Sequence, residues 1–215
     1  MQKVLITGFE PFGGEPVNPS LEAVKLLATK TFTNVEVITK KLPAVFHTSI
    51  RILRATMDEV KPDIVICVGQ AGGRSDITVE RVAINVDDAK IPDNEGNRPI
   101  DVSIIENGPA AYWSGLPIKA IVEKMREAGV PASVSQTAGT FVCNHTFYGL
   151  SHLIATEYPG IRGGFIHIPY LPEQAARHPG APSMSLEMIV RSIEIAIQTA
   201  TAQKDDIIAV GGEIS

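Results

Sequence analysis

Apolar positions along this chain follow two rhythms that alternate from one end to the other. Short β-rich runs occur at Lys3–Thr7, Val35–Thr39, Asp63–Val68, Ala132–Thr137 and Gly164–Ile168. The Asp63–Val68 run is almost wholly apolar, as expected of a central strand covered on both faces. From Ile77 to Val86, Val79, Arg81 and Ala83 alternate with Thr78, Glu80 and Val82, which predicts one long, bent strand. Between these runs lie stripes of helical period. Asn18 is placed as an N-cap with Pro19 at the first helical position, followed by Leu21, Val24 and Ala28. Ile50, Leu53, Met57 and Val60 form a stripe that ends before Pro62. Pro117 opens a helix carrying Ile118, Ile121, Val122 and Met125, with Gly129 beyond its end. Phe147, Leu150 and Ile154 mark the next. Leu186, Ile189, Val190, Ile193 and Ile197 mark the last, opposite Glu187, Arg191, Glu194 and Gln198. Strands that alternate with helices predict an α/β fold: a three-layer α/β/α sandwich around a mostly parallel, twisted sheet. No repeat, low-complexity tract or linker interrupts the pattern, so residues 1–215 are expected to form a single catalytic domain.

Composition narrows the function classes. With 215 residues, 44% hydrophobic and 20% charged, the chain can bury a substantial core. A net charge of -5 argues against a nucleic-acid partner. No run approaches the roughly 18 apolar residues of a membrane span. The N-terminal run is broken by Gly8 and Pro11 too early for a signal peptide. Two cysteines, Cys67 and Cys143, do not make a disulfide framework, and a reducing cytoplasm fits them. The sequon Asn144-His145-Thr146 is discounted for want of a secretory signal. Neither a P-loop nor Gly-x-Gly-x-x-Gly is present, and no Cys-x-x-Cys or His-Glu-x-x-His occurs, so no cofactor and no metal are expected.

Three segments are too rich in glycine and proline for plain connectors: Gly8–Pro19, Asp87–Pro99 and Pro169–Pro182. Open α/β sheets bind ligands beyond the C-terminal ends of their strands. On that rule one rim collects Phe9, Phe12, Gln70, Cys143 and His167. The turn Gly69–Arg74 is also a weak candidate anion nest.

Cys143 stands at the start of the helix that carries Phe147. There, free N–H groups and the helix dipole favour a thiolate and can hold an oxyanion. A buried inert thiol is the bland alternative, and it is the reading adopted for Cys67. A thiol nucleophile needs a base. His145 is too near in sequence to face Cys143 easily, His152 lies on a helix flank, and His47 and His178 lie in polar segments. His167 ends an apolar strand on the same rim. Glu80, in a β-rich run where an acid needs a partner, is the best group to orient it. Asp76, Asp87 and Asp88 are alternatives, and an ion pair with Arg74 or Arg81 is the structural reading.

Four motifs, in this order and spacing, resemble the pyroglutamyl peptidase I (pyrrolidone-carboxylate peptidase) family across the chain. They are Thr7–Gly13, Gly69–Arg74 with Glu80–Asn85, Gly139–Asn144, and His167-Ile168-Pro169. The resemblance implies a cytoplasmic cysteine exopeptidase that removes an N-terminal 5-oxoproline from pyroglutamylated peptides, with Cys143, His167 and Glu80 as triad. It implies that Phe9 and Phe12 wall the ring pocket, that Gln70 hydrogen-bonds the lactam, and that Phe141, Val142 and Ile91 line the pocket. It also implies a homotetramer. Lys90 stands where the family commonly has arginine, so the planar guanidinium fork is absent there. Two other classes compete. A nucleoside phosphorylase or hydrolase would use the glycine-rich rim but gives Cys143 no role. A lactam-binding protein with a decayed triad is disfavoured by the intact Cys143, His167 and Glu80.

Overall fold

The computed structural model describes residues 1–212. Among these residues the strands are β1 (Gln2–Phe9), β2 (Val35–Leu42), β3 (Ile64–Gln70), β4 (Ile77–Glu80), β5 (Val82–Ile84), β6 (Ala111–Trp113), β7 (Ala132–Ser135) and β8 (Arg162–Ile168). Six helices are α1 (Pro19–Leu27), α2 (Thr48–Val60), α3 (Ile118–Glu127), α4 (Val142–Thr156), the short α5 (Pro172–Ala175) and α6 (Leu186–Ala202).

A six-stranded sheet runs in the order β2-β1-β3-β8-β4-β7. The first four of these are mutually parallel. The predicted mostly parallel α/β sandwich is therefore present. β3 lies near the middle and all seven of its residues are buried. Its side chains alternate between two cores. Ile64, Ile66 and Val68 join α1, α3 and α6 on one face, through Val24, Leu27, Ile121, Met125 and Ile193. Val65 and Cys67 join α2 and α4 on the other, through Leu53, Met57, Phe147 and Leu150.

Two expectations are corrected. The single bent strand from Ile77 to Val86 is two strands in two sheets, because the chain changes partners at Arg81, whose N–H donates to the Ser135 carbonyl (2.9 Å) and whose carbonyl accepts from Ser114 N (2.8 Å). β4 lies in the main sheet, while β5 pairs with β6 in a separate antiparallel hairpin. The β6 segment carried no pattern that marked it as a strand. In addition, β4 is antiparallel to β8 and β7 is parallel to β4. The C-terminal end of β7 thus lies at the opposite edge from that of β8, so Cys143 does not reach the rim by following a parallel strand. The residues between β7 and α4 carry the chain to it.

The helix signals held. Asn18 Oδ1 caps α1 by accepting from Ser20 N at 3.0 Å. α2 ends at Lys61, whose φ of 50° is left-handed, immediately before Pro62. Among the described residues no helix is long and apolar enough to cross a membrane.

Candidate active site

The end of β1 is pinned to the start of α1. Phe9 N donates to Ser20 Oγ at 2.9 Å. A side chain at Gly8 would lie 2.5 Å from the Ser20 carbonyl, so glycine is required for this approach. Phe9 is thereby fixed, packed against Phe165 with ring centroids 6.2 Å apart.

Cys143 is the second residue of α4. Phe141 occupies the N-cap position in an extended conformation and no side chain caps the helix. The first turn therefore keeps donors that a ligand oxygen can use. Asn144, fully buried, anchors that turn sideways. Its Nδ2 donates to the carbonyls of Ile84 (2.9 Å) and Val86 (3.0 Å), and its Oδ1 accepts from Ile84 N (3.1 Å). The side chain extends the free edge of β5, so the β5–β6 hairpin buttresses the cysteine. Asn144, His145 and Thr146 are each wholly buried, which leaves the sequon no glycan acceptor.

The sulfur of Cys143 sits over Gly69 on β3. A Cβ at Gly69 would lie only 2.9 Å from Sγ and 2.8 Å from the Phe165 ring. Gly69 is the register partner of His167 on β8. Paired residues of parallel strands point to one face, so Cys143 and His167 share that face at neighbouring strands.

His167 Nδ1 is 2.8 Å from Glu80 Oε1. Glu80 is wholly buried at the end of β4, and the same Oε1 accepts from Arg74 Nη1 at 2.7 Å. Arg74 also reaches Thr78 Oγ1 and the Thr137 carbonyl. Both readings of Glu80 are thus realised at once: it bonds the histidine and pairs with Arg74. With its guanidinium so committed, Arg74 does not serve an anion nest.

Burial sets the protonation of the pair. It pushes the Cys143 thiol up to about 12, helped by the nearby Glu80 carboxylate and opposed by Arg74. It lowers His167 below its ordinary value, although Glu80 pulls the other way. Burial therefore opposes charge on both members of the pair, thiolate and imidazolium alike. Burial thus works against the thiolate that the helix start favours. Cys67 is inert by the same physics, wholly buried and raised to about 12.

Beside the sulfur is a small, tightly closed pocket lined by Phe9, Phe12, Asn18, Ala44, Gln70, Phe141, Val142 and Cys143. Phe12 and Phe141 stack obliquely at 5.9 Å, and Phe46 closes edge-on against Phe141 at 5.3 Å. Five of the six pocket residues expected from the sequence converge here. Ile91 does not line the pocket; it is exposed and lies near Gly13 of the Phe12 loop, 3.5 Å from where a Cβ would stand. Lys90 is exposed on the same loop.

Sequence reasoning missed several contributors. Asn18 was seen only as a helix cap, and nothing local marked Ala44 or Phe46. His145, set aside as a base, forms its own buried pair with Asp87 (Nδ1 to Oδ2, 2.7 Å) and accepts from His47 N at 2.8 Å. Asp87, considered for His167, is therefore committed elsewhere. Asp93, also buried, holds the N–H groups of Phe46, Glu95 and Asn97. Among the described residues no group of three or more His, Cys, Asp or Glu side chains could hold a metal ion.

An α/β sheet with a cysteine at a helix start, a histidine–carboxylate pair and an apolar slot defines the cysteine-hydrolase class of site. Comparison with known proteins specifies it further. Residues 2–203 match the family described as Pyroglutamyl peptidase. The chain is 59% identical over 212 residues to the pyrrolidone-carboxylate peptidase of Bacillus mycoides (strain KBAB4), covering 99% of each. It superimposes on the crystal structure of Bacillus amyloliquefaciens pyroglutamyl peptidase I with a TM-score of 0.94, at 57% identity, over 96% of this chain and 100% of that one. A mutant pyrrolidone carboxyl peptidase from the hyperthermophile Pyrococcus furiosus superimposes with a TM-score of 0.91 at 45% identity, over 94% and 99%. The chain belongs to the pyroglutamyl peptidase family and is a cysteine peptidase.

Proposed function

We propose that this chain is a cysteine exopeptidase that hydrolyses the bond after an N-terminal pyroglutamyl residue, through a thioester on Cys143. The observation that carries this is the junction of two features. A sulfur lying over Gly69, on the strand next to the His167–Glu80 pair, stands at the wall of an apolar pocket with few polar groups. A pyroglutamyl residue is a flat, neutral lactam with no free α-amine. An acidic aminopeptidase-type pocket would have nothing to bind, whereas phenylalanine walls and one amide suit it.

In this mechanism a buried sulfur and a buried imidazole exchange a single proton. As Cys143 Sγ attacks the carbonyl carbon of the pyroglutamyl residue, its proton passes to His167, so no free thiolate accumulates in the buried site. Glu80 stabilises the imidazolium that forms, and its bond to Nδ1 leaves Nε2 to exchange the proton. N–H groups of the first turn of α4, Cys143 among them, hold the carbonyl oxygen as it becomes an oxyanion. Collapse of the tetrahedral adduct breaks the C–N bond, and His167 returns the proton to the departing amine. A water then gives a proton to His167 and its oxygen to the thioester carbon. Pyroglutamate leaves, and Cys143 recovers its proton. Phe12, Phe141 and Phe9 supply apolar contact, and Gln70 the hydrogen bond that selects a lactam over a plain ring. By family likeness the enzyme works in the cytoplasm as a homotetramer.

The test is release of a fluorescent amine from a pyroglutamyl-amide, with a prolyl-amide control, with and without iodoacetamide. Cleavage of the first alone, abolished by alkylation, is expected. Failure of folded, reduced protein to cleave it would overturn the proposal.

A further inference from the structure

We propose that Gln174 is a positioning residue for substrate recognition: it fixes which end of the Gln70 amide faces the pocket. This rests on the reading of Gln70 as the group that binds the lactam. A glutamine amide has two ends of nearly the same shape and opposite hydrogen-bonding sense, one donating and one accepting. Its orientation has to be settled by the network around it.

Here backbone groups settle it. Gln174 is wholly buried on α5. Its Oε1 accepts from Leu171 N at 3.1 Å, and an N–H can only donate. Its Nε2 lies 3.3 Å from the carbonyl of Val17, which can only accept. These two anchors exclude a flipped Gln174. The Nε2 of Gln174, 3.0 Å from the Gln70 side chain, must then donate, so the Gln70 atom facing it is Oε1. The Gln70 NH2 group is on the other arm of the amide. Among the described residues nothing accepts from it, and Gln70 lines the pocket. The pocket is thus supplied with a donor and not an acceptor. A lactam ring carries a carbonyl there; a proline ring carries a methylene.

The arrangement is braced from both flanking segments. Glu15, from the loop that bears Phe12, lies 3.2 Å from Gln174 Nε2. It also pairs with Arg177 at 3.1 Å and His178 at 2.6 Å, and Tyr170 stacks on His178 with centroids 5.0 Å apart. Gln174 therefore joins the Gly8–Pro19 loop, β3 and the segment after β8 at the point where the substrate ring would be read.

The experiment compares Gln70→Met, Gln174→Met and the double variant. It measures kcat and KM for a pyroglutamyl-amide and the inhibition constant of 2-pyrrolidone, the bare lactam. We expect Gln174→Met to raise KM and the inhibition constant together by about tenfold or more, with kcat within about threefold. The double variant should be no worse than Gln70→Met alone, because the two residues act in series. Effects that multiply, or a Gln174→Met enzyme with unchanged lactam affinity beside an impaired Gln70→Met enzyme, would overturn the positioning role while leaving the lactam reading intact. Unchanged affinity in Gln70→Met would overturn the lactam reading, and the role of Gln174 with it. A measurement on the unsubstituted protein stands apart from the folding of any variant. The Gln70 side-chain NH2 resonances, assigned by their loss in Gln70→Met, should shift on adding 2-pyrrolidone. Resonances that do not move would refute the proposal.

Discussion

Replacing Glu80 by glutamine isolates the charge of the buried carboxylate from its geometry. Oε1 takes both hydrogen bonds, from His167 at 2.8 Å and Arg74 at 2.7 Å, while Oε2 is buried without a partner. A glutamine that puts its oxygen in the Oε1 position keeps both bonds, and its NH2 takes the empty place. The histidine tautomer therefore survives, and what disappears is the negative charge facing the imidazolium. At roughly 4 Å between charge centres and an effective dielectric near 20, that attraction is about 4 kcal/mol. The imidazolium is partly formed in the transition state, and the Arg74 charge remains to oppose it. We expect a loss of about 2–4 kcal/mol, or roughly 30- to 1000-fold in kcat/KM. KM should change little, since Glu80 does not itself line the pocket. The assay is steady-state cleavage of a pyroglutamyl-amide across a pH series, with folding checked by circular dichroism. A folded Glu80→Gln enzyme within about threefold of the parent would refute the idea that this carboxylate stabilises the proton on His167.

Cys143→Ser should fold and lose nearly all turnover, and measurable turnover at more than about a thousandth of the parent rate would contradict the thioester route. The same variant tests the buried thiol. With the thiol raised to about 12 in the fold from an ordinary 9.0, its stabilisation is complete below the unfolded value and is lost as pH rises toward the folded one. At a pH of about 10 the parent should have lost roughly 1.4 kcal/mol relative to Cys143→Ser, read as a difference in urea midpoints between about pH 8 and pH 10. His167 behaves in the opposite sense: lowered in the fold from 6.5, it contributes stability above that value that fades as pH falls, so acid unfolding should come later in His167→Gln. Gly69→Ala puts a methyl within 2.9 Å of the Cys143 sulfur and 2.8 Å of the Phe165 ring; it should cost about 1–3 kcal/mol by thermal melt and reduce kcat/KM more than tenfold, and an unimpaired variant would show that the sulfur is not held against β3. Asn144→Leu leaves the Ile84 N–H and the Val86 carbonyl without their partner, while the Ile84 carbonyl keeps the Val86 N–H, for an expected loss of about 2–3 kcal/mol in chemical denaturation.

What the sequence disclosed and what it hid divide along the range of the interactions involved. Helix stripes, the Asn18 cap and the stop before Pro62 are local, and each was legible from a few neighbouring residues. Cys143 was legible because a helix start has chemistry of its own. Strand direction is not local. β4 and β7 are short, and nothing within Ile77–Glu80 or Ala132–Ser135 states that the pair runs against β8. The rim argument assumed a parallel order, and the residues it gathered lie together for a partly different reason. Glu80 reaches His167 not because both end strands at one edge but because antiparallel pairing sets Thr78 opposite His167, with Glu80 two residues on. The burial that opposes a thiolate was hidden for the same reason. The helix dipole is local and argues for a thiolate, whereas the packing of Gly69, Phe165 and Cys67 around the sulfur, which opposes it, depends on two distant strands, β3 and β8. The amide of Gln70 carries the point furthest. Its identity was plain in the chain, but the direction it faces is decided by Gln174, 104 positions away, which in turn answers to Leu171 and Val17. A sequence can name the groups that meet a substrate; which face of each group is offered is a property of the contacts behind it.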